Sequence, residues 1–73
     1  MEIELEEDCY NKLVDHVPQG SSAFAALKNA AVTGNGRLIV CFQQDIDVFL
    51  ETAKKHFPFQ VREIEFAYTH RLR

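Results

Sequence analysis

The chain has no tryptophan, one methionine, two prolines, three glycines and only two cysteines. Cys9 and Cys41 cannot supply the disulfide framework of a small secreted domain, so the expectation is a reducing, cytoplasmic setting. No apolar run nears the roughly 20 residues that span a bilayer, and no membrane partner is expected. The N-terminus, Met1-Glu2-Ile3-Glu4-Leu5-Glu6-Glu7-Asp8, is acidic where a secretory signal is basic. A phosphate loop would need Gly-x-x-x-x-Gly-Lys before a helix, and nothing matches. His16, His56 and His70 lack the spacing of zinc ligands, and Asp45, Asp47 and Glu51 are too few oxygens for a calcium cage. No cofactor and no metal are expected.

What is present is a balanced, globular composition. Hydrophobic residues make up 47% and charged residues 26%, which argues against disorder. Seventy-three residues leave room for one core, so residues 1–73 read as a single domain held by packing. The net charge of −3 counts against a dedicated nucleic-acid binder. Its distribution is uneven. Residues 1–15 carry six acids against Lys12 alone, while His70-Arg71-Leu72-Arg73 carries two arginines and no acid. Such asymmetry steers a charged partner to one end of a domain.

Hydrophobic spacing places the elements. Ile46, Phe49, Leu50, Ala53 and Phe57 recur at helical intervals between Gln43 and Pro58. Asp45 and Asp47 near the start, and Lys54, Lys55 and His56 near the end, complement the helix dipole; Pro58 sets the stop. Upstream, Gly34-Asn35-Gly36 suits a tight hairpin turn. The run Leu38-Ile39-Val40-Cys41-Phe42 reads as a central strand covered on both faces, paired with a shorter strand around Ala30 to Thr33. Ile64, Phe66 and Tyr68 alternate with Glu63, Glu65 and Ala67, which predicts a third strand. In the N-terminal third, Leu5, Cys9, Leu13 and Val17 recur every four residues and predict a helix ended by Pro18 and Gly20. Ser21 or Ser22 caps a second helix with Ala23, Phe24 and Leu27 inward and Asn29 as its stop. Met1, Ile3 and Leu5 also alternate with Glu2 and Glu4, so an edge strand before the first helix is the lesser alternative. The resulting expectation is an α+β two-layer sandwich in the order ααββαβ, a KH-like three-stranded mixed sheet with helices on one face.

That order, carried by the stretch LKNAAVTGNGRLIVCFQQDIDVFLETAKKHF at residues 27–57, resembles a group of small domains of bacterial DNA replication proteins. They are the N-terminal domain of the initiator DnaA, the C-terminal domain of the clamp-loader tau subunit and the N-terminal domain of the polymerase PolC. In them an apolar strand leads through a polar pair into an amphipathic helix holding an aromatic about seven residues on; Leu38, Val40, Phe42 and Phe49-Leu50 stand at those places here. The resemblance implies a docking module that tethers one replication protein to another and performs no chemistry. The alternative is a KH-like or ferredoxin-like nucleic-acid-binding or regulatory module. KH domains clamp nucleic acid with a Gly-x-x-Gly loop between helices, whereas the glycine pair here has one intervening residue and sits in a hairpin.

Cys9 and His16, seven apart, can share a helix face and would form an activated thiol if they met, although a core cysteine is the commoner case. Asp45, Asp47 and Glu51 read as helix-start charges, with Glu51 paired to Lys54 or Lys55. Phe24, Phe42, Phe49 and Phe66 fit the core, with Phe49 and Leu50 against Val40 and Phe42. Phe57 and Phe59 bracket Pro58 as a stiff aromatic knuckle. With the tail Arg71-Leu72-Arg73 they form the expected partner-binding surface, since aromatics and arginine dominate binding hot spots. The competing reading has Phe57 and Phe59 closing the bottom of the core.

Overall fold

A computed structural model describes residues 1–72. In chain order it contains β1 (Glu2–Leu5), α1 (Glu7–His16), α2 (Ser22–Lys28), β2 (Ala31–Val32), β3 (Arg37–Val40), α3 (Gln43–His56), a 3-10 turn (Pro58–Gln60) and α4 (Val61–Thr69). The three strands form one sheet in the order β1-β3-β2, antiparallel throughout. Ile3 pairs with Ile39, and Ala31 with Leu38.

Most local expectations hold. The α1 residues Cys9 and Leu13 are buried, as are Leu5 before the helix and Val17 after it. Ser21 caps α2 by accepting the Phe24 N–H at 3.1 Å, and Asn29 ends it. β2 and β3 flank the Gly34-Asn35-Gly36 turn, and α3 stops at Phe57 before Pro58.

Two expectations are overturned, and together they change the order from ααββαβ to βααββαα. Residues 64–68 belong to α4, not to a strand. Ile64 and Ala67, three apart, are buried, while Phe66 stands 65% exposed, so the alternation with Phe66 was not a buried face. The place beside β3 is taken instead by β1, built from the Met1–Ile3–Leu5 alternation. The sheet is therefore antiparallel rather than mixed: α1 and α2 carry the chain across from β1 to β2, and β3 enters between those two strands antiparallel to both.

The core lies between one sheet face and the helices. Ile3, Leu5, Ile39 and Cys41 meet Leu13, Leu27, Ile46, Phe49, Ala53 and Ile64, all essentially inaccessible. Phe24 and Leu50 pack partly buried against it. Among the described residues, no helix is long and apolar enough to cross a membrane.

Candidate docking surface

Because successive strand residues point to opposite faces, burying Ile3, Leu5 and Ile39 sends Glu2, Glu4, Leu38 and Val40 outward. The register sets Glu2 opposite Val40 and Glu4 opposite Leu38, with Ala31 of β2 on the far side of Leu38. Phe42 extends this row by one step, its backbone still extended at φ −104° and ψ 168°. Val40 is 66% exposed and Phe42 68% exposed. This corrects two sequence expectations: β3 is central but covered on one face only, and Phe42 and Val40 do not pack on Phe49. Asp45 fixes the strand-to-helix corner, accepting the Phe42 N–H at 2.8 Å and the Ser22 hydroxyl proton while itself buried. It is a helix-start group, as expected.

The two edges of the sheet differ. Along β1, the Leu72 N–H donates to the Glu2 carbonyl at 2.8 Å, and α4 packs against the strand. β2, at the opposite edge, is only two residues long. Between β1 and α4 runs a cleft of about 160 Å³ lined by Glu4, Leu5, Glu6, Asn35, Glu63 and Phe66. Glu63 accepts the Glu6 N–H at 3.2 Å. Desolvation nonetheless pushes its carboxyl above the ordinary range, with the charges of Glu6 and Asp8 adding to the rise. The ion pairs among the described residues, Lys12–Asp8 at 3.1 Å and Arg37–Glu7 at 3.0 Å, include none of Glu2, Glu4, Glu6 and Glu63.

Raising a carboxyl above its unfolded value means that the folded state holds the proton more tightly. Ionised Glu63 therefore weakens the fold at neutral pH, and the penalty fades as pH falls through the carboxylate range. Glu63→Gln keeps an acceptor for the Glu6 N–H. It is expected to raise the urea midpoint at pH 7 and to match the parent at pH 3. A midpoint lowered at pH 7 and restored by acid would reverse this assignment.

The residues expected to bind a partner are not gathered in one place. Phe57 is 2% exposed and closes the bottom of the core. Phe59 is 75% exposed, with the Lys12 ammonium 4.8 Å from its ring centre. Arg71 lies over the Tyr68 ring at 4.9 Å and donates to the Tyr68 carbonyl at 3.1 Å. Leu72 is exposed beside Glu2, and Arg73 lies outside the described residues. Phe59 and Arg71 bracket α4, whose nine residues span about 14 Å, so knuckle and tail stand at its opposite ends. The outward row of Leu38, Val40 and Phe42 was missed as a surface. Its signal was the doubly apolar strand, which becomes informative only once β1 is known to present glutamates beside it.

The other sequence candidates are not brought together as reactive groups. Cys9 is fully buried, and burial, with the nearby Glu63 and Asp8 charges, pushes its thiol up to about 12. Burial likewise lifts Cys41 to about 11. A thiolate is the reactive form, and neither residue reaches it near neutrality. His16 sits outside, its Nδ1 2.9 Å from the Lys12 carbonyl and its ring stacked on His56 at 4.4 Å. Desolvation and the neighbouring His16 and Lys55 lower the His56 pKa. The two rings line a recess of about 320 Å³ with Pro18, Val48, Glu51 and Thr52 among its walls. Among the described residues, no group of three or more histidine, cysteine or acidic side chains is placed to hold a metal ion. Glu51 enters no ion pair with Lys54 or Lys55 among the described residues. Comparison of the chain with protein families, curated proteins and solved structures found no match.

Proposed function

We propose that this domain is a non-catalytic docking module that binds another protein through the outer face of its sheet. The observation that carries the reading is the uncovered row along β3 and just past its end, where Val40 and Phe42 are each about two-thirds exposed. A rigid sheet bearing large apolar side chains is a surface that a partner gains by covering. Glu2 and Glu4, interleaved with that row, disfavour a polyanion as its ligand. The high thiol pKa values support a binding role over nucleophilic chemistry. The resemblance at residues 27–57, here the end of α2, the β2–β3 hairpin and α3, supports a narrower proposal. Under that proposal the partner is a protein of the bacterial replication machinery and the domain is a relative of the KH-like group.

Site-specific photo-cross-linking in the source cells tests both levels. A photoreactive residue at Val40 is expected to yield a discrete protein adduct, while the same residue at exposed Lys54 on α3 yields none. Mass spectrometry of the adduct then identifies the partner, and one outside replication would remove the narrower proposal. An adduct with nucleic acid, or none from Val40, would overturn the docking reading. Adducts formed only from Phe59 or Arg71 would move the surface to the ends of α4.

A further inference from the structure

We infer that the occupant of the outer sheet face is a basic amphipathic helix of the partner, an inference that rests on the docking reading above. Neither edge of the sheet offers a long free ladder to an added strand. On β1, α4 and the Leu72–Glu2 hydrogen bond occupy the edge, and on β2 only two residues are available for a ladder. A partner therefore comes onto the face. An extended segment laid there would leave its own N–H and C=O groups unpaired against apolar side chains, whereas a helix pairs its backbone internally.

The dimensions agree. Three strands span about 10 Å, and the row from Leu38 to Phe42 runs about 13 Å. A helix is about 10 Å wide and rises about 1.5 Å per residue, so two to three turns cover the row.

The charge pattern selects the polar flank of that helix. Glu2 and Glu4 stand opposite Val40 and Leu38, the Glu4 carboxylate reaching across to accept the Thr33 hydroxyl proton at 2.7 Å, and Glu6 and Glu63 line the cleft at Phe66. Among the described residues no cation forms an ion pair with these four carboxylates, and Arg37, opposite Leu5, is paired with Glu7. Arg71 stacks on Tyr68, and the Met1 ammonium donates to the Cys41 carbonyl at 2.7 Å. Lysine or arginine on the flank that faces β1 would meet these carboxylates. A second copy of the chain is a poorer fit, because an isologous contact brings Glu2 and Glu4 of both copies into one interface.

The experiment is an NMR titration of the labelled domain with two helical peptides of about 14 residues. They share one leucine face and differ only in a lysine or a glutamate polar face. The lysine peptide is expected to shift the Leu38, Val40 and Phe42 amides and to bind at least about tenfold more tightly than its counterpart. Glu2→Lys with Glu4→Lys, outward positions that leave the core intact, is expected to reverse the preference. Equal affinities, a preference for the glutamate peptide, binding of neither, or shifts confined to the Phe59 end would each overturn the inference. A dimer of the free domain whose interface maps to Val40 would also overturn it. In all these cases the docking reading stands or falls separately, on the cross-link from Val40.

Discussion

Gly36→Ala is expected to lower the stability of the fold by about 2–6 kcal/mol. Gly36 is buried with φ at 150°, a backbone conformation that residues bearing a Cβ rarely adopt. A Cβ there would lie 2.1 Å from the Leu5 carbonyl oxygen and 2.9 Å from the Glu6 Cα. Both are backbone atoms at the β1–α1 junction, so no side chain can swing aside. Relief requires moving β1 away from β3, or turning Gly36 and losing its N–H bond to Thr33 Oγ1 and its carbonyl bond from the Thr33 N–H. Backbone strain and overpacking each cost about 1–3 kcal/mol, against a total of about 4–11 kcal/mol for a chain of this length. Gly34→Ala, two residues away with nothing within 4 Å of its Cβ position, is the control and is expected to melt close to the parent. Circular dichroism melts of the pair decide the matter. Equal melting temperatures would mean that β1 does not pass over Gly36.

Phe49→Ala is the second large effect, expected to lower stability by about 3–5 kcal/mol, the usual loss for a buried phenylalanine. Phe49 is fully inaccessible and faces the core from the middle of α3. Phe42, seven residues earlier, stands at the other extreme of exposure, so Phe42→Ala is expected to change stability by less than about 0.5 kcal/mol. Both side chains read as core in the sequence. Urea unfolding of the two variants therefore separates the observed fold from the one first expected, in which both would be costly. Similar losses for the two would return Phe42 to the interior and remove the docking face with it.

The elements legible in the sequence were those with one strong pattern and a punctuating residue. α3 had its five-residue apolar stripe and Pro58, the hairpin had its glycines, and α2 had Ser21 and Asn29. Legibility failed where two periods coexisted. At 61–69, Ile64, Phe66 and Tyr68 fit a strand, while Val61, Ile64, Ala67 and Tyr68 fit a helix equally well. Packing on β1 and α3 selected the second. At the N-terminus, Leu5 lies four residues before Cys9 and so joined the helical series. It is buried from a strand instead, and α1 begins only at Glu7. The exposed face proposed for docking was hidden for the same reason. With the partner strand of β3 misplaced, nothing showed which of its two apolar sides stayed open. The aromatic knuckle was half legible: Phe59 is exposed, but Phe57 packs inward against the His16 ring side of the core.

The pairing of β1 with β3 also bears on biosynthesis. The strand that leaves the ribosome first can pair only after residues 37–41 have followed it, since Met1 and Cys41 are forty positions apart. At about 5–20 residues per second, Ile3 and Leu5 wait roughly 2–8 s without their partner strand. A short alternating apolar strand in that interval is a template for aggregation. Glu2, Glu4 and Glu6 are spaced along it so that neighbouring nascent chains repel one another. The acids that border the finished sheet thus also guard the unfinished one.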